Sequence, residues 1–192
     1  MSSHHIVREK QEPALFINAL GDFDEEYLGQ ILEWSPTIIV PLHLFEKVIS
    51  MGIKVDVVLA NGVQNLSVFQ EHVKVIPYRI SDLDTALNHL VSEGFPSVNI
   101  ITDRFEANEY QPYMNLIDLV IFKNNQKIYP IRTGFSKWKT EGERIFMLQD
   151  IDVEQPTTTG LKAINALEYR TEKDGFFSFV FDKPFLFIAE EI

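Results

Sequence analysis

The sequence predicts an α/β protein: a Rossmann-like, mainly parallel sheet with flanking helices, followed by a small all-β sandwich domain. Three observations carry that reading. Short apolar runs alternate with amphipathic helical stripes as far as residue 116, the rhythm of βαβ units. Beyond that point, strand-like runs separated by turn residues follow one another with no convincing helix. Charge divides near the same place, with 7 Lys+Arg against 17 Asp+Glu up to residue 122 and 10 against 11 from residue 123 onward. The expected domains are therefore 1–122 and 123–192.

Residues 14–20 form the first apolar run, ended by Gly21-Asp22. Tyr27, Leu28, Ile31 and Leu32 make one stripe of a helix that Ser35-Pro36 closes. Residues 37–40 read as a second, β-branched strand stopped at Pro41. Leu44, Phe45, Val48 and Ile49 give the next helical stripe, with Gly52 placed to end it. Residues 55–59 are the third strand and 73–77 the fourth. The clearest helix runs from 81 to 93, where Leu83, Ala86, Leu87, Leu90 and Val91 share a face. Ser81 suits its N-cap, and Asp82 and Asp84 fall in the first turn, where the helix dipole favours anions. Residues 98–102 make the fifth strand. Parallel strands are covered on both faces, so their apolar residues run continuously rather than alternately, as here.

In the second part, residues 119–122 and 127–131 flank Lys123-Asn124-Asn125-Gln126 as a hairpin. Residues 144–148, 161–169, 176–181 and 185–188 read as further strands. Phe177, Phe179 and Phe181 occupy alternate positions and so share one face. Six Phe between 176 and 187 indicate core or a subunit interface rather than a ligand cage.

The chain has 192 residues, no cysteine, 45% hydrophobic content and a net charge of −11. Lack of cysteine excludes a disulfide framework and thiolate zinc sites. The acidic balance argues against nucleic acid and anionic membranes as partners, because both need clustered Lys and Arg. No apolar stretch approaches the ~20 residues of a membrane-spanning helix, and the N-terminal residues lack the apolar region of a secretory signal. A soluble, cytoplasmic protein is expected.

In an open parallel sheet, ligands bind beyond the carboxyl ends of the strands. That rule selects Asp22 and Asp24, Leu42 and His43, Asn61 and Gly62, Arg79, Asp82 and Asp84, and Asp103, Arg104 and Glu106. Acids and arginines facing one crevice would suit a metal–phosphate site; Glu25, Glu26, Glu33 and Glu46 instead fit solvated helix faces. No G-x-x-x-x-G-K-[ST] or G-x-G-x-x-G phosphate loop occurs, and no G-x-S-x-G nucleophile elbow.

Three stretches point to one family. Gly52-Ile53-Lys54-Val55-Asp56 is similar to a G-I-x-P-D segment, Ser81-Asp82-Leu83-Asp84-Thr85-Ala86-Leu87 to T-D-x-x-x-A-L, and Thr159-Gly160-Leu161-Lys162 to T-x-G-L-K. With the order of elements, these make the chain resemble thiamin pyrophosphokinases over roughly residues 13–190. The resemblance implies an α/β catalytic domain, a C-terminal β-sandwich and a homodimer. It also implies transfer of pyrophosphate from magnesium–ATP to thiamin, with Mg2+ and ATP required. Asp82, Arg104 and Glu106 would be the catalytic residues, Asp82, Asp84 and Glu106 the metal ligands, and Asn61, Asp103 and Arg79 would bind the nucleotide.

The departures fall on the chemistry. Where the family reads D-G-G, this chain has Leu42-His43-Leu44; G-D-F-D-S becomes Ala60-Asn61-Gly62-Val63-Gln64. G-G-R-x-D-H becomes Thr102-Asp103-Arg104-Phe105-Glu106-Ala107, which keeps the arginine and loses the histidine. Gly21-Asp22-Phe23-Asp24 repeats the letters G-D-F-D but follows the first strand, not the third. Pyrophosphoryl transfer depends on cations that neutralise phosphate charge, and Val63 offers a cation nothing. The rival expectation is a non-catalytic homologue acting as a ligand-binding or protein-interaction dimer.

Overall fold

The computed structural model describes residues 12–61, 73–78, 81–148 and 155–192. The first part runs β1 (Ala14–Ile17), α1 (Glu25–Leu32), β2 (Ile38–Pro41), α2 (Leu42–Ser50), β3 (Val57–Asn61), β4 (Lys74–Tyr78), α3 (Asp82–Ser92) and β5 (Ser97–Ile101). A short α4 (Ala107–Tyr110) continues into a 3-10 turn, Gln111–Tyr113. Strands follow: β6 (Asp118–Lys123), β7 (Gln126–Ile131), β8 (Phe135–Lys139), β9 (Arg144–Met147), β10 (Thr157–Thr159), β11 (Leu161–Ala163), β12 (Glu168–Thr171), β13 (Gly175–Val180) and β14 (Leu186–Glu191).

Eleven strands form one sheet in the order β11-β12-β9-β14-β7-β6-β5-β1-β2-β3-β4. From β6 to β4 every pairing is parallel; from β6 to β11 every pairing is antiparallel. The β6–β7 hairpin carries the sheet unbroken past residue 123. A second, antiparallel sheet has the order β10-β13-β8. The mixed α/β architecture expected from the sequence is therefore present, with a large sheet that is parallel in its first half and a smaller antiparallel one.

Local sequence explains the helices. Asp24 caps α1 by accepting from the Tyr27 N–H at 2.7 Å. Ser81 Oγ caps α3 by accepting from the Asp84 N–H at 3.1 Å. Leu28 and Ile31 of α1 and Phe45 and Val48 of α2 bury against Leu15, Ile17, Val40 and Val58 on one sheet face. Leu83, Ala86, Leu87 and Leu90 of α3 bury against Phe16, Ile39, Leu59 and Ile100 on the other. β1 and β2 are buried throughout, as strands covered on both sides must be.

The two sheets share a third core of Ile131, Ile145, Met147, Tyr169, Leu186 and Ile188 with Phe177 and Phe179. The Tyr169 and Phe179 rings meet edge to face at 5.7 Å across it. Of the Phe-rich end, Phe177, Phe179 and Phe187 are buried, while Phe176 is 70% exposed opposite Trp138 on the outer face of the small sheet.

Three details differ from expectation. The run 161–169 is two antiparallel strands, β11 and β12, because residues 164–167 turn the chain. The first run ends as a strand at Ile17, where the chain bends and the Asn18 and Ala19 N–H groups both reach Ile101 O. Strands β8 and β10 and helix α4 have no counterpart in the sequence reading. Among the described residues, no helix is long and apolar enough to cross a membrane.

Candidate functional site

Strand order reverses between β1 and β5: the chain builds outward from β1 through β2, β3 and β4, then returns by α3 to β5 on the other side of β1. A crevice forms at such a switch point, beyond the carboxyl ends of the two strands. Here a cavity of about 470 Å³ opens there, lined by Asn18 after β1, Ser81, Asp82 and Leu83 at the start of α3, Thr102, Asp103 and Arg104 after β5, and Glu109 and Tyr110 of α4.

Thr102 organises the loop. It is buried, its Oγ1 donates to Arg104 O at 3.1 Å and accepts from the Arg104 N–H at 3.3 Å. The Asn18 side-chain amide donates to the same oxygen at 3.4 Å, so the ends of β1 and β5 are joined through one hydroxyl. Arg104 Nη2 bonds Glu109 Oε1 across the mouth. Behind them the ring of Tyr110 is buried; burial, then the Glu109 charge, raise its phenol above the ordinary range, so it stays neutral.

The charges decide what the crevice suits. Asp82, Asp103 and Glu109 outnumber Arg104, so a bare anion is repelled, whereas a cation or a cation–phosphate complex is matched. The α3 N-terminus adds little, because Asp82 Oδ1 takes the Leu83 N–H at 2.8 Å and Ser81 takes that of Asp84.

Of the residues selected from sequence, Asp82, Asp103 and Arg104 come together. Asp84 does not join them: it lies on the outer side of α3, where its carboxylate accepts from the Tyr113 hydroxyl. Glu106 is exposed at the start of α4 and does not line the cavity. Asn61 is exposed at the end of β3, outside this lining. Asp24 caps α1, and neither it nor Asp22 lines the crevice. His43 is exposed on the first turn of α2. Arg79, Gly62 and Val63 lie outside the described residues. Among the described residues, no group of three or more His, Asp or Glu converges as a metal cage.

Asn18, Thr102 and Glu109 were missed. Reading the first run to residue 20 moved the strand end past Asn18, and the Arg104–Glu109 spacing across a loop carries no periodicity. A strand-end threonine two residues before an arginine was the available signal for Thr102.

The whole fold can be set beside solved structures. The thiamine pyrophosphokinase of Bacillus subtilis superposes with a TM-score of 0.64 at 15% identity, covering 94% of this chain and 99% of that one. This chain has the thiamin pyrophosphokinase fold. The thiamin pyrophosphokinase of Candida albicans matches at TM-score 0.61 and 9% identity, over 94% of this chain and 89% of that one. The yeast enzyme matches at 0.59 and 9% identity, over 98% and 88%. No family model and no curated protein matches the chain. The thiamin pyrophosphokinase fold thus extends over both sheets, at identities that leave site residues to be argued from geometry.

Proposed function

We propose that this chain is a thiamin pyrophosphokinase-like protein whose crevice takes a magnesium-bound nucleotide, with pyrophosphate transfer from ATP to thiamin as its reaction. The observation that carries this is the meeting of Asp82, Asp103 and Arg104 in one acidic crevice at the switch point of the parallel sheet. Magnesium keeps several waters and commonly takes one or two protein carboxylates together with substrate phosphates, so Asp82 and Asp103 fit it. When bound, the ion neutralises charge on the phosphates.

The chain's own residues then divide the work. Arg104 presents a planar fork to phosphate oxygens on exchanging Glu109 for them. Thr102 and Asn18 hold the loop that aims it. Thiamin as acceptor, a cytoplasmic location and a homodimer belong to the same proposal. The exposed Trp138, Phe176 and Val180 on the small sheet offer an apolar patch for the contact between copies. Asp84 and Glu106 have no part in it.

A second reading is a non-catalytic homologue that binds ligand or a protein partner as a dimer. Asn61 favours it, as does the fact that, among the described residues, no three acids converge closely enough to hold an ion by themselves. A coupled assay of thiamin diphosphate formation, run beside calorimetry with magnesium–ATP, separates the two. Turnover abolished by Asp82→Ala supports the enzyme. Nucleotide binding without turnover supports the homologue, and neither binding nor turnover overturns the crevice as a nucleotide site.

A further inference from the structure

A second cavity, of about 370 Å³, lies on the sheet face beside α1 and shares no lining residue with the crevice. Tyr27 of α1 and Trp34 just after it form one wall, Asn99 of β5 and Phe122 of β6 the floor, and Lys127 of β7 the side toward the small sheet; Glu12 stands at the rim.

Lys127 is the unusual member. It is directly opposite Glu190 in the β7–β14 register, on the same sheet face. Yet Glu190, itself only 4% exposed, is already taken. Lys137 Nζ lies 2.7 Å and Lys139 Nζ 3.2 Å from its carboxylate, and the Tyr129 hydroxyl donates to it. The side-chain ammonium of Lys127, a half-buried residue, makes no hydrogen bond or ion pair with any described residue. Burial, then repulsion from Lys137 and Lys139, outweighs the pull of Glu190 and lowers its pKa. The ammonium is held at a cost that an incoming anion would relieve.

The rest of the cavity states what kind of anion. Tyr27 and Phe122 meet edge to face at 5.5 Å, giving an aromatic floor. Trp34, 66% exposed, lines the cavity beside them. Flat rings stack on such surfaces. The volume lies near the lower end of the roughly 300–1,000 Å³ of small-molecule pockets, room for one or two rings. Glu12 at the rim and Glu190 beyond Lys127 disfavour a doubly charged group such as phosphate.

We propose that this groove is a second small-molecule site, for a planar aromatic monocarboxylate whose carboxylate pairs with Lys127 and whose ring packs on Tyr27, Phe122 and Trp34. It does not depend on the reading of the crevice.

The test is calorimetry on the full chain at pH 7 with 2-naphthoate as probe and neutral 2-naphthamide as its control. Saturable binding of naphthoate is expected, weaker by about tenfold or more for the amide and for Lys127→Met, since bonds to charged groups carry that much affinity. Lys127→Arg should bind like the parent chain. Trp34→Ala, at an exposed position, should also weaken binding. Asp82→Ala should bind naphthoate as the parent does. No saturable binding at millimolar probe, or equal binding of the amide or by a folded Lys127→Met, overturns the proposal.

Discussion

The hydroxyl of Tyr113 donates to the carboxylate of Asp84, binding the 3-10 turn after α4 to the first turn of α3. Tyr113 is 4% exposed, and its oxygen also accepts from the Asn88 side-chain amide at 2.9 Å. Burial first, then the bond to Asp84, raises its phenol far above the ordinary range, so it remains a donor at neutral pH. One acid of the α3 first turn is thereby committed to structure, and Asp82 is left for the crevice.

Tyr113→Phe removes that donor and leaves the ring in place. Unfolding in urea should show a loss of about 1–2 kcal/mol, the range of a hydrogen bond to a charged group in partial contact with water. Asp84→Asn should lose less, and the double variant should cost less than the two single losses together, because both remove one interaction. Additive losses would show that the bond contributes nothing.

The two aspartates of α3 should separate in ligand binding as well. Asp82→Asn removes a negative charge from the crevice and should weaken magnesium–nucleotide binding by about tenfold or more. Asp84→Asn removes the same charge from the far side of the helix and should leave affinity nearly unchanged. Calorimetry at fixed magnesium reads both, and equal effects would place the ligand elsewhere.

How far the sequence could be read follows from where each cause lies. The Ser81 cap and the apolar stripe of α3 are local, and both were legible. So was the alternation of Phe177 and Phe179 in β13. The partner of Asp84 stands 29 residues away, and no pattern announces it. Strand β8 misleads for a physical reason. Its Lys137 and Lys139 point inward to Glu190, and its Trp138 points out at 52% exposure. The period-2 signal is present but inverted, since the residue that makes half-burying two lysines tolerable arrives only in β14. In the crevice, the strand-end rule found Asp82, Asp103 and Arg104. It also selected Asp24, whose side chain the α1 N-terminus had claimed.

Glu190 gives a stability that depends on pH. Burial alone would raise its pKa, but hydrogen bonds from Lys137 and Tyr129 and the charges of Lys137 and Lys139 outweigh that and hold it below the ordinary 4.5. A depressed folded pKa means that the unfolded chain takes up the proton first as pH falls. The stabilisation is complete above 4.5 and disappears as pH drops from there through the lower folded value. Glu190→Gln should therefore cost about 3 kcal/mol at pH 7, the range for breaking a buried ion pair. The difference from the parent chain should shrink below pH 4.5. A gap that stays constant from pH 7 to pH 3 in urea titrations would contradict this.

Gly160 joins β10 of the small sheet to β11 of the large one, within the Thr159-Gly160-Leu161-Lys162 stretch. Its φ is +71°, and a Cβ there would stand 2.6 Å from the Phe176 carbonyl oxygen, a backbone atom of β13. That strand carries Phe177 and Phe179 into the core between the sheets, so it cannot yield without disturbing both rings. Gly142 provides the control: its φ is +86°, but nothing lies within 4 Å of its added Cβ. Gly142→Ala should cost only the left-handed penalty of about 1–2 kcal/mol. Gly160→Ala should exceed it and lower the unfolding midpoint further, because strain and collision act together. Equal losses would mean that β13 accommodates the methyl group, and that the glycine is there for its backbone angle alone.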